Sequence, residues 1–284
     1  MKMKQLAAAV VASFGIATAV PASAIIVGGI DFGVLGNTVH LETSTLAETF
    51  INGAGQNLTG YGLVSTVNGD STYCADGSAN CALYYYFTGY TVKTFDGTHV
   101  SFTGGTINLY YSGVAASNLL NQDSPTNVAF IQSLTPWVQF AGHTFYDPIF
   151  DAVPGFDGLQ TLNGNGTLTG ATLTETGAGQ VDVVSGPFGL ASVQSYMNGN
   201  SIGDSLGGFA DVAVTSSSNN FALNPFDVTN GFANTCQTAP SVGQWCLQGT
   251  LNTRGATVVP EPATLALLGL GLAGLGYSRR RKQA

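Results

Sequence analysis

The sequence predicts an all-β fold, an antiparallel β-sandwich or jelly-roll-like single domain, and three observations predict it. Turn dipeptides recur along the chain at Asn52-Gly53, Asn68-Gly69, Asp76-Gly77, Asp96-Gly97, Asp157-Gly158, Asn163-Gly164, Asn198-Gly199 and Asn230-Gly231. Each offers the residues that tolerate the positive φ of tight hairpins. Between them lie short runs rich in aromatic and β-branched residues. Sustained 3.6-residue periodicity is confined to one short stretch, so no helices intervene between the strands.

Residues 1–24 read as a secretory signal peptide. Lys2 and Lys4 precede an apolar run over 6–20, Pro21 breaks the helix, and Ala22-Ser23-Ala24 offers small side chains to the peptidase, with Ala22 and Ala24 as the cleavage residues. The mature chain then starts near Ile25. Strands are predicted over 25–34, 58–67, 84–95, 98–111, 135–140, 168–175, 180–184, 209–216 and 244–251, and one helix over 126–134 after Ser124-Pro125. The clearest pair is the hairpin 84–95/98–111, with Asp96-Gly97 as a type I′ turn and Gly104-Gly105 as a bulge. Residues 164–179 are the most loop-like stretch. No repeat or Pro/Ser linker divides residues 25–257, which form one exported β domain.

Charge narrows the function. The chain has 8 Lys and Arg against 16 Asp and Glu, and six of the basic residues lie at the two ends. Between residues 25 and 259 only Lys93 and Arg254 oppose fifteen carboxylates, a net charge of −13. Such a body repels phosphate backbones, so nucleic acid is excluded as a partner. The four cysteines fall in two local pairs, Cys74/Cys81 and Cys236/Cys246, whose spacing does not suit zinc. In an exported chain they are expected as disulfides, although three pairings are formally possible.

The C-terminus has three parts in order: Val258-Val259-Pro260-Glu261-Pro262, an apolar segment over 263–277, and the basic cluster Arg279, Arg280, Arg281 and Lys282. The prolines keep the first part extended. The apolar part, 15 residues long, would span roughly 22 Å as a helix, short of a ~30 Å hydrocarbon core. This tail resembles the PEP-CTERM sorting signal of exported bacterial proteins, with Val259, Pro260, Glu261 and Pro262 in the place of the recognition motif over residues 258–284. The resemblance implies a Gram-negative envelope, processing by an exosortase (a membrane thiol peptidase), and an exopolysaccharide, biofilm or floc setting. Before processing, the tail would hold the protein at the membrane.

Several strings in the chain suggest chemistry. Gly199-Asn200-Ser201-Ile202-Gly203 matches G-x-S-x-G, but His40, His99 and His143 all precede Ser201 and no helix signal follows. Gly269-Leu270-Gly271-Leu272-Ala273-Gly274 matches a dinucleotide fingerprint inside the apolar tail, without a preceding strand. His143 with Asp147, and His40 with Glu42, are pairs at short spacing that could poise a base or metal. Asp147, Asp151 and Asp157 form an acidic segment whose oxygens could suit Ca²⁺, the one ion suggested; no cofactor is expected otherwise. Tyr84, Tyr85, Tyr86, Phe87, Tyr90, Phe95, Tyr110 and Tyr111 could stack on sugars, yet alternation in a strand sends at least half of them into the core. The preferred reading is a non-enzymatic surface or matrix protein that meets extracellular polysaccharide. The alternatives are a carbohydrate-binding module and, less favoured, a secreted hydrolase.

Overall fold

The computed structural model describes residues 24–34, 38–221 and 235–256. Nine strands build one antiparallel sheet: β1 (Val39–Thr49), β2 (Asn57–Val67), β3 (Ala82–Phe95), β4 (His99–Ser112), β5 (Thr135–Gly142), β6 (Leu162–Thr167), β7 (Thr174–Val183), β8 (Val212–Asn219) and β9 (Trp245–Gly255). Neighbours run β6-β7-β8-β9-β1-β2-β3-β4-β5, and two further ladders, β4 with β6 and β5 with β7, close the sheet into a barrel-like sandwich. β5 and β6 share one position in the wall, end to end between β4 and β7. Closure pairs the backbone of every strand on both sides, which removes exposed edges. The all-β architecture is the one the sequence predicts.

Alternation explains the hairpin at the centre. Leu83, Tyr85 and Phe87 of β3 face the interior with Phe102, Ile107 and Leu109 of β4, while Ala82 and Tyr84 face outward. The outward residues are nonetheless buried, because α1 (Ser124–Gln132) packs over them, with Phe130 edge-on to Tyr84. The Asp123 carboxylate caps α1 at the Thr126 N–H (2.8 Å), and Pro125 sits in its first turn. Asn127 donates to the Tyr61 hydroxyl (3.0 Å) and the Leu119 carbonyl (2.8 Å), tying the helix to β2. The aromatic run is therefore core on both faces of the sheet: Tyr84, Tyr85, Phe87, Tyr90 and Tyr110 are all buried.

Several local expectations are corrected. Asp96 N–H donates to the His99 carbonyl (3.1 Å), so the turn centres on Gly97-Thr98, one residue later than predicted. Gly97 alone of these two has positive φ (91°), so the turn lacks the two positive φ values of type I′, and the Asp96 carboxylate takes the Thr98 and His99 N–H groups (2.8 and 2.6 Å). Gly104-Gly105 is not a bulge, since register continues from Thr88↔Thr106 to Tyr90↔Gly104 and shifts only between Val92 and Thr94. The glycines instead mark where β4 exchanges β5 for β6 as neighbour, and the Tyr90 ring occupies the space a Cβ at Gly105 would need. Residues 25–34 form only a two-residue ladder, Ile26–Val27 with Ile30–Asp31, and the first wall strand is β1, which the sequence reading missed. The supposedly loop-like 164–179 is the β6–β7 hairpin.

The strands give the body two distinct ends. At one rim β1, β3, β5 and β8 begin and β2, β4, β7 and β9 end. Residues 24–34 and α3 (Ala191–Met197) close this rim: Ile30, Phe32, Val193 and Met197 are buried in the main core, and Trp137 Nε1 donates to the Gly28 carbonyl (2.9 Å). At the far rim Phe50, Leu173, Leu247 and the Cys236–Cys246 disulfide form a smaller cluster. Cys74–Cys81, the other disulfide, sits at the first rim before β3. Among the described residues no helix is long and apolar enough to cross a membrane; the expected signal peptide and C-terminal helix lie outside them.

Candidate functional site

The outer surface of β6, β7 and β8 carries the most site-like feature. Register aligns Asn165, Thr176 and Ser217 in one row across the strands, and Thr167, Thr174 and Asn219 in the next. Side chains two apart on a strand share a face, so the rows form a patch of hydroxyl and amide groups without charge. An open groove of about 310 Å³ lies on it, lined by Asn165, Gly166, Thr174, Thr176, Ser217, Asn219 and Phe221, with Glu175 and Ser218 behind. Thr176 Oγ1 and Asn165 Oδ1 hydrogen-bond at 3.0 Å, which orients both side chains along the groove. A second open hollow of about 270 Å³, lined by Phe50, Asn52, Thr169, Gly170, Ala171, Thr238 and Pro240, adjoins the same far rim.

Directly inside this wall lies a pair of carboxyls the sequence did not reveal. Glu48 of β1 and Glu175 of β7 are 2% and 8% exposed. Ser218 Oγ donates to Glu175 Oε2 (3.4 Å) and also hydrogen-bonds to Glu48, whose Oε2 has no partner. Burial, and then the charge of Glu175, hold the Glu48 carboxyl well above the ordinary 4.5. Burial pushes Glu175 up to about 7 despite the serine hydroxyl. Two strands, β8 and β9, lie between them, and Gly249 of β9 lets the β8 backbone approach closely, since any Cβ there would run into the Ser217 carbonyl oxygen. The adjoining interior spaces are about 10 Å³ and 20 Å³ and are lined mostly by apolar side chains. Each has room for about one water. Burial thus favours the protonated form of both carboxyls.

All three histidines meet carboxylates. His40 Nε2 lies 3.2 Å from Glu42 Oε1 on one strand face, as the spacing suggests. His99 Nδ1 lies 3.0 Å from Asp96 Oδ2 in the hairpin turn, its ring edge-on to Phe150 and Phe156. His143 does not take Asp147. Its Nδ1 is 2.7 Å from Asp182 and its Nε2 3.3 Å from Asp204, residues supplied by β7 and by the loop before β8. Partial burial opposes the charged imidazole, but the two carboxylates outweigh it and raise its pKa above 6.5. Asp204 is also fixed by the Leu206 and Gly208 N–H groups, at 2.7 and 2.8 Å.

The acidic segment is likewise engaged locally. Asp147 caps α2 (Pro148–Asp151) at Ile149 N–H (2.9 Å) and accepts from Asn163 Nδ2 (3.0 Å). Asp151 accepts from the Tyr146 hydroxyl (2.8 Å), and Asp157 pairs with Lys93 at 2.6 Å. Among the described residues no three His, Cys, Asp or Glu side chains gather as a metal group. Ser201 follows α3 instead of opening a helix, and its Oγ accepts from Ala256 N–H (3.3 Å), so the elbow string joins α3 to the short ladder of Ile202–Gly203 with Phe209–Ala210. The four sulfurs form Cys74–Cys81 and Cys236–Cys246.

Fold and surface together define a closed, disulfide-bonded β body with a polar groove at one end and its C-terminal exit at the other. Residues 258–282 match the PEP-CTERM protein-sorting motif. The match covers Val259, Pro260, Glu261, Pro262, Arg279, Arg280, Arg281 and Lys282, which lie outside the described residues. The chain is an exported protein bound for the cell envelope or surface and sorted by an exosortase-type membrane enzyme. No curated protein and no solved structure matches it.

Proposed function

We propose that the exported body is a non-enzymatic protein of the cell surface or extracellular matrix of a Gram-negative bacterium, working in an exopolysaccharide, biofilm or floc setting. The observation that carries this reading is the uncharged groove on β6–β8 at the end away from the sorting tail. Sugar hydroxyls both donate and accept hydrogen bonds, and Ser, Thr and Asn side chains match them in both roles without the desolvation cost of a charge. The exposed Phe221 adds an apolar surface beside the polar rows. The non-enzymatic part is supported by the placement of the ionisable groups, since the raised carboxyls lie behind the wall and the histidines are held by neighbouring carboxylates. Ca²⁺ enters as a collective partner: an acidic, lysine-poor surface attracts divalent cations that would bridge it to acidic polymer.

Co-sedimentation of the mature protein with polysaccharide from the same cells tests the reading. Polymer is expected to carry the protein down, less so after Thr176→Asp with Ser217→Asp, and less again with a chelator. A protein left in the supernatant in every case contradicts it. The same groove supports a carbohydrate-binding module as a second reading, distinguished by binding to short free oligosaccharides as well as to polymer.

A further inference from the structure

The route of the chain out of the barrel fixes which end meets the sorting machinery. β9 is paired on both sides down to Gly255, opposite Val212 and Val39. Ala256 is held at the rim by its N–H bond to Ser201 Oγ (3.3 Å), and its carbonyl lies where a Cβ at Gly199 would stand. Pro260 follows Gly255 by five residues. Fully extended, that length reaches at most roughly 17 Å. A membrane enzyme that binds the motif must therefore accept the whole body within that distance, and only the rim with Gly255 can face it.

That rim is also where exposed apolar side chains gather. Ile26, Val34, Val114, Leu190 and Phe209 are between 37% and 66% exposed, and all belong to segments at or beside it. Phe209 lies closest to the exit, since its neighbour Ala210 accepts from Ser201 N–H (3.0 Å). Apolar patches of this kind mark contact surfaces. We propose that this rim, centred on Phe209 and Ile26, is a docking surface for the sorting peptidase and seats on its outer face while the motif is bound. The proposal rests on the sorting assignment and adds a second contact to it, beyond the motif. Contact with lipid in place of the enzyme is an outcome that the test separates.

The test follows tail removal by pulse-chase in cells that make the full chain together with the peptidase. Ile26→Lys with Phe209→Lys at the rim should slow cleavage about tenfold, while Val242→Lys at the far rim should leave it unchanged. A flexible insert of about twenty residues after Ala256 should abolish the difference, because it frees the body from the enzyme's face. Equal rates for rim and far-rim variants overturn the proposal. So does a rim defect that survives the insert, which would mark misfolding, or a rim variant cleaved normally but released early from membranes, which would assign the contact to lipid. Failure of the sorting assignment has a different signature: the unsubstituted chain keeps its tail beside an active peptidase, and the docking surface falls with it.

Discussion

Glu48 and Glu175 place two carboxyls inside a wall where water cannot solvate their charged forms. A carboxyl whose pKa rises on folding binds its proton more tightly in the folded state. Its contribution to stability is full below the ordinary 4.5 and is lost as pH rises, through about 7 for Glu175. His143, raised above 6.5 by Asp182 and Asp204, acts in the same direction: its contribution is full below 6.5 and fades as pH climbs through the folded value. Asp96, Asp157 and Asp204 act oppositely, since their lowered pKa values give stability above 3.8 that is lost on acidification. The body should therefore be most stable in mildly acidic solution and weaken toward pH 8. Glu175→Gln should raise stability at pH 8, on the order of 3 kcal/mol, with little gain at pH 5. Denaturant melts at the two values check this, and a flat pH profile in the parent contradicts it. A proton NMR titration of His143 should place its midpoint above 6.5, and Asp182→Asn should lower it.

Elements add their own terms. Asp123→Ala removes the cap of α1 and should cost about 1 kcal/mol, seen in chemical denaturation. Replacing Cys236 and Cys246 by Ser should cost roughly 2.5–3 kcal/mol from loop entropy, measured as a lower denaturation midpoint. The same scale shows which elements were legible in the sequence. The β3–β4 hairpin was, because its aromatic and β-branched residues alternate around one Gly-containing turn. β1 was not: its sequence VHLETSTLAET is largely polar, its register shifts around Thr43, and its interior Glu48 breaks the apolar alternation. β6 was missed and β7 was read only in part, as strands 168–175 and 180–184 within and beside a loop-like 164–179, because Gly, Asn and Thr fill both, and residues 168–173 are the turn between them; a glycine at 164 or 177 leaves space for the Glu175 carboxyl, a reason visible only once the strands are paired. The candidate groove was illegible for a related reason, since its rows come from register across three strands. His143 could be singled out, but Asp182 and Asp204 lie 39 and 61 residues away and no short spacing points to them.

At the scale of the whole molecule, closure and polarity work together. A wall whose nine described strands are each paired on both sides, with a disulfide at each end, resists both aggregation and unfolding in an unprotected setting outside the cell. The segment after Ala24 and the sorting tail leave from the same rim, so delivery occupies one end and the polar groove is presented at the other. The tail was the most legible part of the chain, because its three parts are read in linear order and need no fold.

Intact-mass and N-terminal analysis of the protein from the envelope and surface fraction, in cells with and without the sorting peptidase, tests the central claim most directly. With the peptidase, the product should begin at Ile25, lack the apolar segment and basic cluster of residues 263–282, and be four hydrogens lighter than its reduced form, one pair for each disulfide. Without it, the tail should persist. An uncut chain of 284 residues with four free thiols inside the cell, the same with or without the peptidase, would contradict the account.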